Sequence, residues 1–106
     1  MPYAETLTDQ EADAALGRLT DWTREGPSIR RTVKMPTFRV AIDLVNAVAD
    51  AAEEADHHPD ILIRWTSVTF TLTTHAARAL TRRDVDMAER IDALAAARAG
   101  IESAGP

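Results

Sequence analysis

The chain has 106 residues, 45% hydrophobic and 27% charged, the composition of a globular protein with one modest core. A net charge of −5 argues against general nucleic-acid or anionic-membrane binding, because both need a basic face. The chain contains no cysteine, which excludes disulfide scaffolds, thiolate nucleophiles and Cys-ligated zinc.

The opening residues, MPYAETLTDQ, lack the basic and apolar parts of a signal peptide, and no apolar run approaches the roughly 20 residues needed to span a bilayer. A cytoplasmic protein with one domain over 1–106 is expected, its tail frayed from about residue 100 to 106. Thr8 followed by Glu11 is a capping-box signature with Leu7 as its staple. It predicts a helix from about Thr8 to Leu19, with Leu16 and Leu19 facing inward. DWTREGPSIRRTVKM then reads as a hairpin turning at EGP, with Ile29, Val33 and Met35 alternating along its second strand. Arg31 falls in the same alternation and breaks it. Arg30, Arg31 and Lys34 read as a solvated basic group rather than a nucleic-acid surface.

Pro36 and Thr37 open the longest element, in which Phe38, Ala41, Ile42, Val45, Val48, Ala49 and Ala52 recur at helical spacing. This helix must end before Pro59, since a residue preceding proline is pushed away from helical dihedrals. ILIRW and VTFTLTTH follow as two strands broken near Thr66 and Ser67; Val68, Phe70 and Leu72 alternate with threonines. Thr81 with Asp84 starts a last helix, with Val85, Ala88, Ile91 and Leu94 inward and Gly100 as its stop. The order α-β-β-α-β-β-α predicts an α+β fold: two layers, a four-stranded antiparallel sheet with helices on one face.

The chemistry concentrates in EEADHHPD, residues 53–60. Two of the three histidines lie there, and histidine is the side chain whose ordinary pKa is near neutral. The plainest account is a helix C-terminus favouring a cation, by roughly 0.3–1 kcal/mol. It explains one histidine but not a pair, with Glu53 one turn before His57 and His75 past the next strand. A metal account would use the three imidazoles with Glu53, Asp56 and Asp60, yet no i, i+4 pair of the zinc-helix kind is present. An acid/base account needs groups that give and take a proton near neutral pH, with carboxylates to orient them. Asp84 is by default a capping residue and can also line a cleft. Trp22 and Trp65 are ordinarily core, though a ring-shaped substrate would want such a wall.

Together these residues resemble the pterin-4a-carbinolamine dehydratase family. Its signature is an acid, three residues, His, His or Asn, and Pro. Five residues on comes an aromatic, nine further a His, and eight or more further an Asp. Here that reads Glu53, His57, His58, Pro59, Trp65, His75 and Asp84, with every gap satisfied. LTTHAARALTRRDVDMAERID resembles the family's strand-to-helix segment, and LTDW around Trp22 extends the likeness more weakly.

The resemblance implies the same four-stranded sheet, and dehydration of 4a-hydroxytetrahydropterins to quinonoid dihydropterins in tetrahydrobiopterin recycling. No metal or cofactor is implied, the pterin being the substrate. His57, His58 and His75 are implied as catalytic, with Glu53 and Asp84 orienting them. Trp22, Asp56, Pro59 and Trp65 are implied at the pterin. A homodimer or homotetramer, and functional coupling to an aromatic amino-acid hydroxylase, are the implied associations. The alternative is a non-enzymatic dimerisation, assembly or transcriptional-cofactor module on the same fold. Two departures stand out: Arg31, Val33 and Met35 replace the family's R-x-F-x-F, and Ala79, Leu80 and Thr81 replace its Gly-Leu-Thr.

Overall fold

The computed structural model describes residues 5–103, with side chains through residue 99. Thr8 caps helix α1 (Asp9–Arg18) as its sequence predicts. The Thr8 hydroxyl accepts the Glu11 N–H at 3.1 Å, and the Glu11 carboxylate accepts the Thr8 N–H at 2.8 Å. Ala12 and Ala15 are the buried residues of this helix, and Leu19 is buried just beyond it. Leu16 is only half-buried, so the small residues rather than Leu16 make the closest contact.

Strands β1 (Thr23–Glu25) and β2 (Ser28–Lys34) form the first hairpin, with Glu25 opposite Ser28. Gly26 turns it at φ 58°, ahead of a proline whose ring fixes φ near −65°, the combination a type II′ turn requires. Ile29 and Val33 point into the core, and Met35 is buried just past the strand. Arg31 shares their face, for a reason given by its partner on a helix.

Helix α2 (Phe38–Ala55) starts at Thr37, whose hydroxyl accepts the Val40 N–H at 3.1 Å. Its buried stripe is Ala41, Leu44, Val48, Ala51 and Ala52. The stripe read from sequence is therefore rotated: Leu44 and Ala51 are inside, whereas Phe38 is 51% exposed and Ala49 is on the surface. The helix packs on the sheet and on the last helix together, and this second neighbour turns the inward face past what one stripe predicts.

Strands β3 (Asp60–Arg64) and β4 (Ser67–Leu72) form the second hairpin, turning at Trp65 and Thr66. The antiparallel sheet runs β1-β2-β4-β3, so β4 is central and β3 is an edge carrying the exposed Leu62 and Ile63. Val68, Phe70 and Leu72 are fully buried. Helix α3 (Arg82–Ser103) buries Val85, Met87, Ala88, Ile91 and Ala95, with Leu94 partly covered. Gly100 does not stop it. The helix continues to Ser103, because an isolated glycine weakens a helix by only about 1 kcal/mol; the rest of the expected frayed tail, 104–106, lies outside the described residues. The three helices cover one sheet face, giving the two-layer α+β architecture in the order expected. Among the described residues, no helix is long and apolar enough to cross a membrane.

Candidate active site

Helix α2 ends in a way that buries one of the two histidines following it and leaves the other exposed. The His57 N–H donates to the Ala52 carbonyl at 3.0 Å and the Asp56 N–H to Glu53 at 3.3 Å. This is the paired closure of a Schellman motif, and it needs a left-handed residue, usually glycine. Asp56 takes that role at φ 51°, a region that Asp tolerates better than most side chains. The reversal turns His57 inward, where it is 8% exposed, and leaves His58 outside.

Each histidine has its own carboxylate. His57 Nε2 lies 2.6 Å from Asp84 Oδ1, in the first turn of α3. His58 Nε2 is bonded to Glu53 Oε2, and both of those side chains are largely exposed. Of the two expected orienting carboxylates, Glu53 thus serves His58 and Asp84 serves His57; the left-handed Asp56 breaks the helical spacing that would otherwise bring Glu53 beside His57.

Asp84 is fully buried. Its Oδ2 accepts the Thr81 N–H at 2.9 Å and the Thr74 hydroxyl at 2.8 Å, so it caps α3 and anchors His57 at once. A carboxylate only accepts, so the bonded His57 Nε2 carries a proton and Nδ1 is left to gain or lose one.

His57, His58 and His75 line one cavity of about 220 Å³, together with Asp56, Thr73, Thr74 and Arg83. His75 is exposed and sits on the loop that leaves β4. The threonines and Arg83 escaped the sequence reading. A usable signal was present, because Val68, Phe70 and Leu72 extend in alternation to Thr74, placing a hydroxyl at the end of a buried row. Among the described residues, no group of three or more His, Asp or Glu is arranged to hold a metal ion.

Three residues expected at the ligand do not line this cavity. Trp65 is 77% exposed at the tip of the β3–β4 hairpin, at the opposite end of β3 from the histidines, roughly 17 Å along five extended residues. Trp22 is buried in the core, where its indole N–H donates to Asp92 Oδ1 at 2.8 Å. Pro59 is half-buried and leads into β3 without reaching the cavity wall. Asp92 also bonds Arg31 at 2.5 Å, which explains why a cation occupies the inner row of β2.

The fold and site define a two-layer α+β protein with an imidazole–carboxylate pair opening on a polyhistidine cavity, an arrangement suited to proton transfer. A profile of the family described as pterin 4 alpha carbinolamine dehydratase matches residues 5–94. The chain belongs to that family. A protein from Nocardia farcinica, provisionally named a pterin-4-alpha-carbinolamine dehydratase, is 57% identical over 86% of this chain and 96% of its own. A Mycobacterium tuberculosis protein with the same provisional name is 53% identical over 83% and 94%. Among solved structures, a transcriptional coactivator/pterin dehydratase from Brucella melitensis superposes with a TM-score of 0.83 at 32% identity, covering 86% of this chain and 99% of that one. A pterin dehydratase-like protein described as a RuBisCO assembly factor of the alpha-carboxysome gives 0.60 at 25% identity, over 70% and 86%.

Proposed function

We propose that the chain dehydrates 4a-hydroxytetrahydropterins to quinonoid dihydropterins by histidine acid/base catalysis. The observation that carries this reading is the three-histidine cavity, with His57 held by the buried Asp84. Loss of water from a carbinolamine breaks the C4a–O bond, forms a C=N bond to the adjacent ring nitrogen and releases that nitrogen's proton. An acid must deliver a proton to the leaving oxygen, and a base must collect the one on nitrogen. His57 through Nδ1 and the exposed His75 are the pair for these transfers, and His58 with Glu53 holds the substrate edge. A cavity of about 220 Å³ lies below the roughly 300–1,000 Å³ usual for drug-sized ligands, which suits a small bicyclic ring with its substituent outside.

The test generates 4a-hydroxytetrahydropterin in situ and follows its disappearance with and without the protein. Acceleration over the spontaneous rate is expected, with His57→Ala and His75→Ala each losing about 10²–10⁴-fold. No acceleration, or variants indistinguishable from the parent, overturns the reading. Thermal shifts across a panel of pterins then identify the preferred substrate, since a specific ligand raises the unfolding midpoint by mass action.

A second reading, an assembly or coactivator module, is favoured by the two solved relatives, one described as a transcriptional coactivator/pterin dehydratase and one as a RuBisCO assembly factor. A co-purifying partner whose binding survives replacement of all three histidines would support it. The two roles are compatible in one chain.

A further inference from the structure

Two buried hydroxyls stand behind the carboxylate that holds His57. We propose that Thr74 and Thr81 form a one-directional hydrogen-bond chain that fixes Asp84, and through it the tautomer and ring orientation of His57. The kinetic arm rests on the dehydratase reading above; the structural arm stands without it.

The direction of every hydrogen follows from what each group can do. Asp84, as a carboxylate, has no hydrogen to give, so the 2.8 Å contact from Thr74 Oγ1 to Oδ2 commits the only hydroxyl hydrogen of Thr74. The 2.7 Å contact between Thr74 Oγ1 and Thr81 Oγ1 must then be filled by the hydrogen of Thr81. Thr81 Oγ1 in turn accepts the Arg83 backbone N–H at 3.2 Å. Each donor points the same way: from the Arg83 amide to Thr81, to Thr74, to Asp84. The Thr81 N–H adds a second bond to Oδ2 at 2.9 Å, leaving Oδ1 for His57 at 2.6 Å.

Burial makes this chain rigid. Thr74 is 4% exposed, and Thr81 and Asp84 are at 0%. Water therefore offers little alternative partner for any hydroxyl that rotates away, and an unmet buried polar group is costly. Thr74 also connects the site's two separate histidine supports. Its side chain reaches Asp84 and so His57, while its backbone N–H bonds the Ala79 carbonyl at 3.1 Å and its carbonyl accepts the Ala77 N–H at 3.1 Å. Those bonds close the loop that carries His75. One threonine thus sets the placement of both imidazoles, acting as a positioning residue.

The decisive variant is Thr74→Val, close in shape but without the hydroxyl, with Thr74→Ser as the rescue. In ligand-free, ¹⁵N-labelled protein, the parent should show the His57 ring proton fixed on Nε2 and slow to exchange with water. Thr74→Val should exchange that proton about tenfold faster or more, with the two ring ¹⁵N shifts moving toward each other as the tautomers mix. In the dehydration assay kcat should fall about 10–100-fold, as for other groups that orient a functional imidazole, with KM within about twofold. Thr74→Ser should restore all three readouts. A folded Thr74→Val whose His57 ring signals and proton exchange match the parent overturns the proposal, whatever the activity. Should Thr74→Val fail to fold, Thr81→Val carries the same test. It keeps every contact of Asp84 but removes the hydroxyl that orients Thr74, so unchanged ring exchange there is equally fatal. If the parent shows the fixed tautomer but no dehydratase activity, the functional reading fails while this one stands.

Discussion

Asp56, Trp65 and Arg78 are the non-glycine residues at positive φ among those described, and each marks a place where the chain reverses. Arg78 is informative because its neighbour Ala79 stands where the resemblance to the family sets the glycine of Gly-Leu-Thr, a residue free to take positive φ. The left-handed residue is Arg78 instead, at φ 54°, so Ala79 carries no such strain. Arg78→Gly should therefore leave the melting temperature unchanged or raise it. Ala79→Gly should lower stability by about 0.5–1 kcal/mol, since there glycine adds only backbone entropy to the unfolded state. The two carboxylates of the site separate by burial in the same manner. On the proposed function, Asp84→Asn should abolish most of the dehydration rate, by about 10²–10⁴-fold, because the amide no longer selects the Nε2–H tautomer of His57. Glu53→Gln, at an exposed carboxylate bonded to the exposed His58, should cost less than about tenfold and change stability by under about 0.5 kcal/mol. Parallel kinetics and urea melts of the two variants check both statements.

At the scale of elements, caps and turns were legible and helix rotation was not. The Thr8–Glu11 box, the Gly26 turn and the end of α2 before Pro59 are local events, each decided by residues within three or four positions. The inward face of α2 depends on what lies on both of its sides, and a single apolar stripe is blind to α3. That difference is measurable. Leu44→Ala should cost about 2–5 kcal/mol as a fully buried truncation, while Phe38→Ala, at half exposure, should cost under about 1 kcal/mol. The same logic explains Gly100, whose helix-weakening effect is smaller than the cooperative gain of continuing α3.

For the whole molecule, Asp92 is the residue that joins the layers. It takes Trp22 Nε1 and Arg31 together, tying the approach to β1, the middle of β2 and the third turn of α3 at one point. Asp21 lies 3.5 Å from the same guanidinium on its outer side. Asp92→Ala would leave a partly buried guanidinium and an indole N–H short of an acceptor, and should lower stability by about 2–3 kcal/mol in urea unfolding. Arg31→Met should cost less, because it removes the charge along with its need for a partner. Asp92 shares α3 with Asp84, two turns or about 12 Å away. A loosened joint should therefore also show as a change in His57 ring signals.

The sequence by itself determined the order of elements, the boundaries set by caps, glycines and prolines, and the fixed-gap set Glu53, His57, His58, Pro59, Trp65, His75 and Asp84 that marks the family. These are written in short-range stereochemistry and in spacing, which survive without knowledge of neighbours. Only the tertiary structure decided which carboxylate serves which histidine. It also placed Trp22 and Trp65 outside the cavity, brought Thr73, Thr74 and Arg83 into it, and gave Arg31 a reason to face inward. Those outcomes depend on contacts between residues far apart in the chain, His57 with Asp84 across 27 positions and Arg31 with Asp92 across 61. Such contacts are set by how helices rotate against a sheet, which no local pattern encodes.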